Sequence, residues 1–195
     1  MTQHSLDRPF DVVLFGASGF TGRLTAQYLA AHAPADLRWA IAGRNRGKLE
    51  KLRDELAAEN ATIGELEILT ADVGDRPSVR RVAEAAKVVV TTVGPYLEYG
   101  EPLVAACAES GADYLDLTGE PEFVDRMYVE NDAAAKASGA RLVHCCGFDS
   151  VPHDLGAYFT LLQLPENVPV RIDGYVRSNA SFSGGTYHSA INGFA

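Results

Sequence analysis

Three glycines carry the first chemical signal. Gly16, Gly19 and Gly22 stand in GASGFTG, after the apolar run Val12-Val13-Leu14-Phe15 and before a stretch with helical spacing. Together they suggest a grip on phosphate. Gly16 permits the tight turn, Gly19 lets the backbone approach a pyrophosphate, and Gly22 lets the helix pack close to the strand. Ser18 and Thr21 add hydroxyl donors. The free N–H groups and dipole of a helix beginning near Phe20 favour the negative charge. The G-x-x-G-x-x-G spacing is one residue longer than the commonest dinucleotide spacing, and its specificity comes from its place between a first strand and a first helix.

The second strand ends in AIAGRNRGK. An acidic residue there would bond the ribose 2′-hydroxyl of NAD, whereas a basic one accommodates the 2′-phosphate of NADP. Arg44 stands where the acid would be, and its planar fork suits a phosphate, so the expected cofactor is NADP(H) rather than NAD(H). Asn45, Arg46 and Lys48 lie close by, and Arg46 and Lys48 read equally as the solvated first turn of the next helix. GRNRGK is one residue short of a P-loop and has Leu49 where magnesium needs Ser or Thr, which excludes kinase or ATPase chemistry.

Asp72, after the third strand, can bond the adenine amine or serve a turn. Gly94 and Pro95, closing the fourth strand, fall beside the nicotinamide ribose, because ligands of open α/β sheets lie beyond the carboxyl ends of the strands. Glu120, Gly147, Phe148, Asp149 and Ser150 are expected to point toward the same crevice. Asp116 and Asp149 also read as caps of turns or helices. Cys107, Cys145 and Cys146 are odd in number and lack a C-x-x-C pair. They read as small core residues rather than metal ligands or nucleophiles, and no metal site is expected.

Positioning these groups requires alternating strands and helices. Strands are predicted over Asp11–Phe15, Arg38–Ala42, Leu66–Thr70, Val88–Val93, Tyr114–Leu117 and Arg141–Cys145, and helices over Thr21–His32, Arg46–Glu59, Pro77–Ala86, Glu101–Ser110 and Pro121–Ser138. Short connections and continuously apolar strands imply an α/β fold, a Rossmann-type doubly wound parallel sheet in the order 3-2-1-4-5-6. Val151–Leu164 reads as a further helix and Val170–Arg177 as an alternating strand. The last eighteen residues carry no charge, which predicts burial at an interface or near a substrate. The expected division is residues 9–165 for the nucleotide-binding domain and 166–195 for the beginning of a truncated second domain.

The chain has 195 residues, 47% hydrophobic and 22% charged, with a net charge of -9, which argues against nucleic acid as a partner. The N-terminal ten residues have no signal-peptide pattern, and no apolar run is long enough for a bilayer. With reduced thiols, the expected location is cytoplasmic, with peripheral attachment to the inner membrane left open.

The blocks GASGFTGR, AGR, VGPYLEYGEPLVAACAESGADYLDLTGE, CCGFDSVPHDLG and SGGTYHS together resemble the saccharopine dehydrogenase-like oxidoreductases, in particular their trans-acting enoyl reductase branch. The resemblance implies that Gly16, Ser18, Gly19, Phe20, Thr21 and Gly22 hold pyrophosphate and that Arg44 holds the 2′-phosphate. It implies that Val93, Gly94, Pro95 and Tyr96 hold the ribose–nicotinamide end. It further implies a missing α+β second domain with much of the substrate site and a homodimer contact, a carrier-bound or small-molecule acyl substrate, and a polyketide synthase as partner. The implied reaction is hydride transfer from NADPH to an α,β-unsaturated thioester. The catalytic proton donor is unknown. No tyrosine has a lysine four residues on, so the short-chain dehydrogenase dyad is disfavoured, and Tyr96, Tyr99, His153, Tyr187 and His188 are the weak candidates. Two other readings stay open: a saccharopine-type imine or amino-acid dehydrogenase with Arg171 and Arg177 near its substrate, and a non-catalytic NADP-binding sensor.

Overall fold

A computed structural model of the chain describes residues 8–60, 63, 65–177, 179, 184, 187 and 191. Six parallel strands form one sheet: β1 (Phe10–Phe15), β2 (Trp39–Gly43), β3 (Glu67–Thr70), β4 (Ala86–Thr91), β5 (Asp113–Leu115) and β6 (Leu142–Val143). Their order is β3-β2-β1-β4-β5-β6, the doubly wound arrangement expected from the alternating pattern. The helices are α1 (Phe20–His32), α2 (Arg46–Glu59), α3 (Arg76–Ala85), α4 (Tyr96–Tyr99), α5 (Glu101–Ser110), α6 (Pro121–Ser138) and α7 (Val151–Leu161). Among the described residues, no helix is long and apolar enough to cross a membrane.

Strand alternation divides the core in two. Val13 and Phe15 of β1, Ala40 and Ala42 of β2, Val89 of β4 and Tyr114 of β5 belong to one cluster, filled from the helices by Val79, Leu103, Val104, Phe123 and Met127. Leu14 of β1, Trp39 and Ile41 of β2 and Ile68 of β3 belong to the other, with Ala26, Leu49, Leu52 and Leu56. The handedness of the crossovers explains the split. Winding from β1 toward β3 places α1 and α2 on one face, and winding from β4 toward β6 places α5 and α6 on the opposite one. The α1–α2 face therefore runs out of helix over β4 and β5, and that uncovered stretch becomes a cleft.

Polar ties fix the amino-terminal edge. Asp11 accepts the Arg38 backbone N–H at 3.1 Å and a guanidinium N–H of Arg38 at 3.0 Å, and it pairs with Lys87 at 2.7 Å, joining β1 to the residue before β2 and to β4. These cations, Arg38 foremost, hold its carboxyl well below the usual carboxylate range. Arg8 is buried and donates to the carbonyls of Ala83, Ala86 and Ser110.

Several elements differ from expectation. The strands toward the β6 edge end early: β4 stops at Thr91, β5 at Leu115 and β6 at Val143, because the residues after them turn away into cleft loops. Helix α7 ends at Leu161 rather than Leu164. Val170–Arg177 is not a strand; it is irregular and exposed, and the six-stranded sheet offers it no ladder partner. Of the uncharged terminal stretch, the described Asn179, Gly184, Tyr187 and Ile191 are exposed rather than buried, and His188 lies outside the described residues. Cys107 is a core residue, whereas Cys145 and Cys146 are only half-buried.

Candidate nucleotide site

The glycine turn is closed by its own backbone. The Gly19 N–H donates to the Gly16 carbonyl at 2.9 Å, and Thr92 Oγ1 donates to the same carbonyl at 3.3 Å, binding the turn to the exit of β4. Gly16 has φ +85°, and a Cβ there would lie 2.6 Å from Val93 Cγ2. A Cβ on Gly22 would lie 2.2 Å from the Gly16 carbonyl oxygen and 2.8 Å from Ala17 Cα, backbone that cannot move aside. Gly19 caps α1 without a side chain, so no cap oxygen occupies the first-turn N–H groups, which are left for an anion. Ser18 and Phe20 are exposed beside them.

Arg44 directly follows β2 and is exposed. Asn45 caps α2, its Oδ1 accepting the Lys48 N–H at 3.0 Å, and Arg46 pairs with Glu50 at 2.9 Å, so Arg46 is engaged by its own helix. Asp72 accepts the Gly74 N–H at 2.9 Å, the geometry of a turn carboxylate.

A cleft of about 500 Å³ opens between α1 and the carboxyl ends of β4 to β6. Its walls are Thr21 and Thr25 of α1, Val90 and Thr92, Leu115 to Leu117, and Cys146 to Asp149. Small-molecule sites commonly occupy about 300–1,000 Å³. Phe148, 70% exposed, stands on one wall, and the His153 ring meets it edge-on at 5.9 Å. Burial, and then Asp116, push the Cys146 thiol up.

The remaining predicted residues separate. The Gly94-Pro95 peptide is cis and leads into α4. Tyr96 is not placed as a free acid: it is buried, its hydroxyl donates to the Thr91 carbonyl at 3.2 Å, and burial pushes its phenol far up. Glu120 turns inward instead of facing the crevice. Its carboxylate accepts the Tyr96 and Leu97 N–H groups at 3.1 and 2.8 Å, capping α4 across 24 and 23 residues of chain. Tyr99 is 42% exposed, and the neighbouring Glu98 carboxylate raises its phenol. Tyr187 is 64% exposed.

His144 is a participant that sequence reasoning missed. Its Nδ1 lies 2.6 Å from Asp116 Oδ2, while Asp116 Oδ1 accepts the N–H groups of Thr118 at 3.1 Å and Cys145 at 3.0 Å. The two side chains are 28 residues apart, so no local spacing announces them. Among the described residues, no group of three or more His, Cys, Asp or Glu could hold a metal ion.

Glycine cradle, helix N-terminus and exposed arginine fit a phosphorylated dinucleotide, and similarity to known proteins agrees. Residues 12–143 match the saccharopine dehydrogenase NADP binding domain. A trans-acting enoyl reductase of Mycobacterium leprae is 46% identical over 151 residues, covering 77% of this chain and 35% of that protein. A saccharopine dehydrogenase-like oxidoreductase of Rattus norvegicus is 36% identical over 200 residues, covering 96% and 46% respectively. The chain thus spans less than half the length of these curated relatives. The apo saccharopine dehydrogenase (L-Glu forming) of Saccharomyces cerevisiae shares the fold, with a TM-score of 0.61 at 18% identity over 78% of this chain and 30% of that one. The chain belongs to the saccharopine dehydrogenase-like family, and residues 12–143 are its NADP-binding domain.

Proposed function

We propose that this chain is the nucleotide-binding part of an NADPH-dependent oxidoreductase, an enoyl reductase that acts in trans on an acyl thioester. The observation that carries the reading is the turn under α1, where Gly16 holds φ +85° and the first-turn N–H groups of the helix have no capping side chain. Gly16, Ser18, Gly19, Phe20, Thr21 and Gly22 hold the pyrophosphate. Arg44 holds the 2′-phosphate, Asp72 lies toward the adenine, and Val93 to Tyr96 form the turn beside the nicotinamide ribose. NADPH supplies the hydride to the β-carbon of the unsaturated thioester. The protein's part is to orient the two reactants, exclude water and stabilise the enolate charge until the α-carbon is protonated.

The enoyl reductase name of the M. leprae relative supports this reaction class. The amino-acid dehydrogenase reading needs free cations for substrate carboxylates, and Arg171 is exposed and paired with Asp173 at 2.9 Å. Phe20, Leu24 and Tyr28 of α1 and the apolar residues of α7 are exposed. This supports a second unit that covers them; in the proposed reading that unit closes the site, forms a homodimer contact and receives a carrier-bound acyl group from a polyketide synthase.

Titration of this chain and of Arg44→Ala with NADPH and NADH tests the assignment. Arg44→Ala loses about 1.5–3 kcal/mol for NADPH and nothing for NADH, the scale of a hydrogen bond to a charged group. Equal affinity of the unaltered chain for both cofactors overturns the role of Arg44. NADPH oxidation by the full-length protein with carrier-bound enoyl thioester, set against a 2-oxo acid plus amine, separates the two reactions.

A further inference from the structure

We propose that Asp116 and His144 are a positioning pair for the nicotinamide end of the nucleotide. The inference rests on the nucleotide reading above. The cleft floor is made of three loops that leave β4, β5 and β6, and none of them has regular structure to hold it. Buried polar side chains do so instead. Between the first two loops, Tyr96 donates to the Thr91 carbonyl and its hydroxyl receives the Leu117 N–H at 3.5 Å, while Glu120 caps α4.

Between the second and third loops, Asp116 does almost all of it. Its carboxylate receives His144 Nδ1 and the Cys145 N–H, and its backbone carbonyl receives the Cys146 N–H at 2.7 Å. The loops press together beside this tie: a Cβ on Gly147 would lie 3.2 Å from Leu117 Cβ. Asp116 is almost fully buried, and the His144 side chain is 10% exposed, enclosed by Tyr114 and edge-on against Phe123 at 5.5 Å. His144 therefore points away from the cleft, which Asp116, Leu117 and Cys146 to Asp149 line. It acts through Asp116. A buried carboxylate with three donors is held in one orientation, and the backbone it grips becomes the pre-formed wall against which a ring can lie.

The arrangement predicts a split between the two ends of the nucleotide. Two ligands separate them: NADPH, and adenosine 2′,5′-bisphosphate, which has the adenine and 2′-phosphate but no nicotinamide. His144→Leu removes the donor to Asp116. It is expected to weaken NADPH about tenfold while leaving the bisphosphate unchanged, and to abolish the change in nicotinamide fluorescence on binding. His144→Asn keeps an N–H near the Nδ1 position and restores most of the NADPH affinity and the fluorescence change. If His144→Leu loses its cooperative melt, His144→Asn against His144→Gln carries the test, since the glutamine amide reaches toward the Nε2 position instead. Equal weakening of both ligands in a folded variant, or no weakening of either, overturns the pair's role. Unaltered protein that binds neither ligand overturns the nucleotide reading itself, a result seen before any substitution is made.

Discussion

Phe123 and Phe159 are both helical phenylalanines in apolar stretches, yet Phe123 on α6 is 0% exposed and Phe159 on α7 is 66% exposed. The same contrast holds for their regions. Through β6 each helix finds a sheet face, and the apolar residues of α3, α5 and α6 close over β1, β4 and β5. From Val151 to Arg177 every residue is exposed, including Leu155, Tyr158 and Leu162. An apolar helical pattern is therefore a statement about what a segment can bury, and it stabilises the fold only where a partner surface exists. An isolated helix of α7's length is marginal in water.

Four substitutions sharpen or break that contrast. Phe123→Ala has the largest expected effect, about 3–5 kcal/mol by chemical denaturation, because it empties a filled site between α6, Tyr96 and His144. A loss near zero would mean that the α6 face is as loose as α7. Gly22→Ala comes next, at about 2–4 kcal/mol in stability with loss of NADPH binding, since its Cβ meets backbone on two sides. Unchanged binding in that variant would remove the cradle from the site.

Asp11→Asn is smaller, about 1 kcal/mol, because its ion pairs are partly solvated and screened by salt. Its pH dependence has a definite sign. The carboxyl of Asp11 is depressed in the folded state, so its stabilisation is present above the unfolded value near 4 and fades as pH falls below it. The melting difference between the unaltered chain and Asp11→Asn should therefore shrink on acidification, and a difference that grows instead contradicts the assigned ties. Phe159→Ala is expected to be smallest, within about 0.5 kcal/mol for this chain. A larger loss would show that α7 is covered in solution.

The glycine turn was legible because its requirement is local. Gly16 needs a positive φ and Gly22 a close backbone approach, and each demand marks a single position. Helices α2, α5 and α6 were legible to the residue because helical spacing coincides with caps at Asn45 and with left-handed Gly111 and Gly139. The Val170–Arg177 strand was misread because alternation describes one strand, whereas a strand exists only with a neighbour. Glu120 was misread in the same way: a carboxylate after a strand looks free until a helix N-terminus 23 residues upstream claims it.

By itself the sequence determined the strand–helix alternation, the doubly wound order and the glycine turn, together with the basic residue after the second strand. Each follows from backbone conformation or from handed, short-range connections. Only the tertiary structure decided which polar groups serve the cleft and which are spent holding it. It buried Tyr96, turned Glu120 into a cap and joined Asp116 to His144 across 28 residues. A buried polar group takes whatever partner the packed chain brings within about 3 Å, and that choice is made by the fold rather than by spacing along the chain.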